Sequence, residues 1–262
     1  MTAAARLETI QVLRRQIAAG LSVESRREIV PTGLSELDSI LPGNGLPTAS
    51  IIEWLGSRSG LFAGSIALSA VRSLLCHRPG CLAVIDERHE FHVAAAISQG
   101  IPLSRILLVQ PNLAPSPGVR RQTADNSRES SLSHEALWAL EQAARCPGVN
   151  VVFCWMDRCS NAIMRRLQLA VEHSGVTLVM IRPSRVQNQP SFADLRLLVT
   201  LDSPSVVTSS DGREPVRSAN PSSGITRRYA IRLLRSRHEL RHDRTAGLSQ
   251  HEGRFRIRNG RS

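Results

Sequence analysis

Between residues 50 and 75, ASIIEWLGSRSGLFAGSIALSAVRSLL carries the layout of a phosphate-binding loop: an apolar strand, a Gly/Ser loop and a helix. Backbone amides at such a helix start attract an anion, and in the G-x-x-x-x-G-K-[ST] pattern a lysine adds a full charge against the phosphates. Counting from Gly56, the second glycine position holds Leu61, the lysine position Phe62 and the hydroxyl position Ala63. No other register restores the charge, because all 33 basic residues of the 262 are arginine. Arg58 lies within the loop, but its guanidinium is a broad planar fork and it stands away from the lysine's place. Gly56, Ser57, Arg58, Ser59, Gly60 and Phe62 therefore read as a vestigial phosphate loop. No cofactor is expected, with weak nucleotide binding through the loop amides left open.

The other reactive side chains offer less. Cys76, Cys81, Cys146, Cys154 and Cys159 form no C-x-x-C pair, and no histidine is spaced with them as a zinc ligand set requires. They read as core or incidental thiols, and no metal is expected. His77, His89, His92, His134 and His173 stand in no nucleophile–His–acid arrangement, and neither Ser59 nor Ser65 sits in G-x-S-x-G. These are expected to be surface groups and helix caps.

The elements around the loop alternate. Strands are expected at 51–55, 81–86, 105–110, 149–155, 176–181 and, at an edge, 192–201; helices follow the loop to about 75 and recur near 90–98, 133–145 and 160–173. Such alternation implies an α/β fold with a mostly parallel sheet flanked by helices. A helix over 3–20 would form an N-terminal arm (1–30), either packed on the main domain or free for a partner. The core would run over 31–202, broken by an exposed polar loop at 112–132. A Ser/Pro/Gly linker (203–226) would then lead to an arginine-rich segment, 227–262.

Charge is concentrated in that last segment. Residues 1–226 hold 22 Arg against 19 acids, a net of +3, whereas residues 227–262 hold 11 Arg against 3 acids, a net of +8. Within it RYAIRLLRSR and RFRIR alternate apolar and Arg residues, predicting a two-stranded basic ribbon. Tyr229, Ile231 and Leu233 would face one side, Arg228, Arg232 and Leu234 the other. Arg227, Arg228, Arg232, Arg235, Arg237, Arg254, Arg256 and Arg258 are the candidate contacts to an anionic partner, DNA or an acidic protein surface. No apolar run approaches the roughly 20 residues that span a bilayer, and the start lacks a signal peptide's apolar stretch. A cytoplasmic protein with no membrane partner is the expectation.

The run TGLSELDSILPGNGLPTASIIEWLGSRSG, continued by CLAVIDERHEFHVAAAISQGIPLSRILLVQP, resembles the RecA-like family over roughly residues 31–200. Within it the chain is most similar to the ImuA family, RecA-like accessory proteins of bacterial mutagenesis cassettes. The likeness lies in the degenerate loop, in HEALWALEQAARCPGVNVVFCW followed by RRLQLAVEHSG, and in the Arg-rich closing strand. The resemblance implies a RecA-like core and a role in the SOS response and damage-induced translesion synthesis. It also implies partners: a Y-family-like polymerase homologue, an error-prone replicative-type polymerase, RecA itself and DNA.

The same resemblance locates the catalytic positions. The family's catalytic glutamate falls two residues after the strand-end aspartate, at Arg88; the neighbouring Glu87 would point the other way. The Walker B aspartate falls at Trp155, with Asp157 two residues on, expected as a vestige or helix cap in preference to a magnesium ligand. Phosphoryl transfer depends on positioned positive charge and a metal-holding carboxylate, so losing all three predicts a chain that is not an enzyme. The expected function is a non-catalytic adaptor bridging polymerase partners and DNA or recombinase. The competing readings are a divergent, active DNA-dependent ATPase of recombination and a stress-induced cell-division inhibitor.

Overall fold

A computed structural model describes residues 27–56, 61–111, 131–201, 227–236, 244–251 and 254–256. The expected arm helix at 3–20, loop residues Ser57 to Gly60, nearly all of the 112–132 loop, the linker, Arg237 and Arg258 lie outside the described residues.

Strand β1 (Ile29–Val30) pairs antiparallel with β2 (Leu46–Pro47), and helix α1 (Ser35–Ile40) lies between them in sequence. The chain then alternates: β3 (Ile51–Gly56), α2 (Leu61–His77), β4 (Cys81–Ile85), α3 (Val93–Ser98), β5 (Ile106–Val109), α4 (His134–Arg145), β6 (Val149–Trp155), α5 (Asn161–Ser174) and β7 (Thr177–Pro183). Strands β8 (Leu195–Leu201), β9 (Arg227–Ser236), β10 (Arg244–His251) and β11 (Arg254–Arg256) follow.

Nine strands form one mixed sheet in the order β11-β10-β9-β8-β3-β7-β6-β4-β5. The six from β8 to β5 run parallel, and β9, β10 and β11 join antiparallel. The arrangement is compatible with Rossmann-type and RecA-like folds alike. Continuous apolar runs such as VNVVFCW become strands buried on both faces, as a parallel sheet requires. On one face α1 and α2 cover Ile52, Trp54, Val84 and Phe153; on the other, α4 and α5 cover Ile51, Ala83, Val152 and Met180. Ser133 and Ser160 start α4 and α5 by accepting from the Ala136 and Ile163 amides at 3.2 and 3.3 Å. Gly175 closes α5 at φ +81°, where a side chain would also meet the Arg78 guanidinium.

Three expectations are corrected. The strand at 192–201 is not an edge: β8 lies between β3 and β9, and the sheet's parallel end is β5. The basic ribbon is not two-stranded, because β10, from the weakly patterned RTAGLSQH, pairs with β9 on one side and β11 on the other. Nor is the arginine-rich segment an appendage. β9 pairs along β8, and its Tyr229, Ile231 and Leu233 join the core beneath α1 and α2. Apolar side chains on every second residue give β9 a face that only burial satisfies.

Arg27 reaches Asp194 at 2.7 Å and Glu172 at 3.0 Å, tying the segment before β1 to α5 and the start of β8. Among the described residues, no helix is long and apolar enough to cross a membrane.

Candidate functional site

In an open, mostly parallel sheet, ligands bind beyond the carboxyl ends of the strands, where the winding direction changes. That place lies here beside β3: the chain leaves it through α2 toward β4, while β7 crosses to β8 on its other side. Gly56 ends β3 against Ala63 of α2, and a Cβ added there would lie 2.8 Å from the Ala63 methyl. The tight strand-to-helix approach is kept, and the hydroxyl position faces into packing, with Ala63 only 1% exposed.

Phe62 stands at the lysine position. Its ring packs on the core and lies 5.3 Å from that of Tyr229, inclined at 43°. At the end of β6, Trp155 makes edge contacts with Phe153 at 5.2 Å and Phe91 at 6.4 Å. Two positions where the family resemblance expects charge are thus filled by aromatic carbon on the face shared with α2.

The acidic residues nearby are engaged in structure. Asp86, buried at the end of β4, accepts from the amides of Glu90 (2.8 Å) and Phe91 (3.1 Å) and from the Gln110 side chain (3.3 Å). It shapes the turn into α3. Glu87 accepts from the Ser133 amide at the start of α4, where a carboxylate also meets the helix's positive end. Arg88 points elsewhere, toward Asp157 at 3.5 Å, and Arg185 holds the same carboxylate at 3.1 Å. Asp157 is therefore not a helix cap, a part Ser160 plays; it bridges two arginines. Glu90 sits next to this bridge with its carboxyl pushed above the usual range, chiefly by burial.

Sequence reasoning missed the most heavily built polar cluster. Glu53, wholly buried in β3, receives Arg182 of β7 at 2.6 Å, Arg196 of β8 at 2.7 Å and the Ser191 hydroxyl at 2.9 Å. Arg196 also donates to the carbonyls of Gln187 and Gln189, and Arg182 to that of Met156. One carboxylate between two guanidiniums therefore clamps the β7–β8 connection onto the sheet. The available signal was a charge in each of three apolar strands, at Glu53, Arg182 and Arg196.

Burial raises the thiols of Cys154 and Cys159, the latter to about 12, and burial also raises Cys81. A raised pKa disfavours the thiolate, which is the form that attacks electrophiles and binds metals. Among the described residues, no group of three His, Cys, Asp or Glu is placed to hold a metal ion. A cavity of about 470 Å³ lies between the end of β5 and α4, lined by Val109, Pro111, Trp138 and Ala139 with Gln110, His134 and Glu135. It stands far along the sheet from Phe62 and brings no candidate nucleophile and base together.

Of the candidate contact residues, Arg228 and Arg232 are exposed on β9, whereas Arg235 donates to the Ser191 carbonyl. Register sets Arg256 opposite Ser249, itself opposite Arg228, and Arg254 opposite His251; Arg227 pairs with Gln250. The structure therefore exposes Arg228, Arg232 and Arg235 on β9 and ties Arg235 to the β7–β8 connection.

The site thus belongs to an α/β protein in which strand β3 and helix α2 approach closely at Gly56 and Ala63, with an aromatic ring at Phe62. Neither family models nor curated proteins yield a match to this chain. The functional reading rests on the residues that carry the family resemblance and on the geometry around them.

Proposed function

We propose that this chain is a non-catalytic RecA-like adaptor of the ImuA type, acting in the cytoplasm in the bacterial DNA-damage response. It supports error-prone translesion synthesis by bridging a Y-family-like polymerase homologue, an error-prone replicative-type polymerase, and DNA or recombinase. The observation that carries the non-catalytic part is the Phe62–Tyr229 contact: the lysine position is occupied by a ring that packs on the core. Trp155 among aromatics and Arg88 on Asp157 support it at the other two positions.

Phosphoryl transfer works by positioning and neutralising charge on the moving phosphate. A loop without its cation, a metal position filled by indole and a base position filled by guanidinium supply none of this. What remains is a rigid scaffold with surfaces to offer. Capture of the tagged full chain from damaged cells tests the adaptor role: both polymerase types are expected to co-purify. Their absence, together with ATP turnover by the isolated chain, would favour the divergent ATPase instead.

A further inference from the structure

Among the described residues, the sheet beyond β8 has one covered face and one open face. Tyr229, Ile231, Leu233, Ala246 and Leu248 fill the covered side under α1 and α2. On the other side, the β7–β8 connection packs Val186 with Leu55, Leu198 and Leu234 and meets Arg235 of β9 through the Ser191 carbonyl. Past that cluster the residues are exposed, among them Arg228, Arg232, Thr200, Thr245 and Gly247.

Register arranges them in three rows across the strands. Leu198, Arg232 and Thr245 make one row, Thr200, Ala230 and Gly247 the next, and Arg228 begins the third beside Ser249 and Arg256. The middle row is small side chains throughout, and a Cβ added to Gly247 would meet nothing within 4 Å. A shallow trough therefore runs across β8, β9 and β10, with Arg228 and Arg232 rising on its two sides. Four residues of strand rise separate them by about 13 Å. On β9 Arg228, Arg232 and Arg235 are exposed, and strands β8 to β11 hold no acidic residue.

We infer that this trough seats the sugar–phosphate backbone of duplex DNA, without reading its sequence. The inference rests on the adaptor reading for its choice of nucleic acid among anions. Small residues on the floor let a backbone approach closely, and flanking guanidiniums meet phosphate oxygens from both sides. Proteins that hold unpaired bases stack them on aromatic side chains. Among the described residues of β8, β9 and β10 the aromatic ring is that of Tyr229, which faces the core, so the geometry favours a duplex over a single strand. Contacts of this kind position a protein on DNA and carry no sequence information.

Removing 227–262 would strip Tyr229, Ile231 and Leu233 from the core, so point substitutions on the full chain are the proper test. Binding of a duplex and of an oligothymidine of equal length is measured by anisotropy over a salt series. Arg228→Gln with Arg232→Gln is expected to weaken duplex binding about tenfold or more and to lower the log–log salt slope by about 2. Gly247→Glu, which sets a carboxylate on the trough floor, is expected to abolish it with the thermal midpoint little changed, while Arg145→Gln on α4 binds as the parent. Parental affinity and slope in the trough variants would overturn the inference. So would preference for the single strand, or trough variants that lose only an acidic protein partner. Failure of the parent to bind DNA while both polymerases are still captured would sink this inference alone; DNA binding without their capture would sink the adaptor role alone.

Discussion

The ring of Phe62 stands 5.3 Å from the ring of Tyr229 and ties helix α2 to the arginine-bearing strand β9. The position that would touch phosphate holds a side chain that anchors β9 instead. The contact joins two parts of the chain far apart in sequence.

The contact predicts a coupled pair. Phe62→Ala should cost about 2–3 kcal/mol, reduced from a fully buried ring's 3–5 because Phe62 is only partly buried. A double-mutant cycle with Tyr229→Leu should give a coupling of about 0.5–1.5 kcal/mol by urea denaturation. Additive effects would mean that the rings do not support one another.

Glu53 predicts a larger effect. Glu53→Gln leaves the buried Arg182 and Arg196 guanidiniums without compensation and should cost about 3–5 kcal/mol. Replacing all three residues with apolar side chains of similar volume should recover most of that loss. Equilibrium unfolding of the single and triple variants checks both, and a Glu53→Gln cost below about 1 kcal/mol would contradict the clamp.

Asp157 should behave oppositely. Its carboxylate is partly exposed between two partly exposed arginines, so Asp157→Asn should cost less than about 1 kcal/mol. Excess magnesium should leave the thermal midpoint of the parent unchanged, since a ligand that stabilises must bind the native state. A magnesium-dependent rise that Asp157→Asn removes would restore the carboxylate as a metal ligand.

Thiol chemistry gives a pH prediction. Raising a thiol's pKa keeps it protonated and slow to alkylate, because the thiolate is the nucleophile. At pH 8 iodoacetamide should label the exposed Cys76 and Cys146 and spare Cys154 and Cys159, the last of which titrates near 12. Peptide mass mapping reads the result, and rapid labelling of Cys159 would contradict its burial.

Much of the scaffold was legible in the sequence. Strands β3, β4, β6 and β7 announce themselves as apolar runs, and Ser133 and Gly175 mark helix ends by their chemistry. β10 did not, because Ala246 and Leu248 are its only large or moderately apolar inward residues and Gly247 interrupts them. β8 looked like an edge because the partner that covers its other side, β9, follows only after the linker. The Glu53 cluster was illegible for a related reason: Arg182 and Arg196 lie 129 and 143 residues from Glu53 in the chain. Each alone reads as a charge interrupting an apolar strand, and only register brings them together.

The most direct test of the non-catalytic reading is steady-state phosphate release from ATP by the full chain, with and without single-stranded DNA, beside Phe62→Ala. The account predicts no release above that control under either condition. Turnover by the parent that DNA stimulates and Phe62→Ala lacks would contradict it.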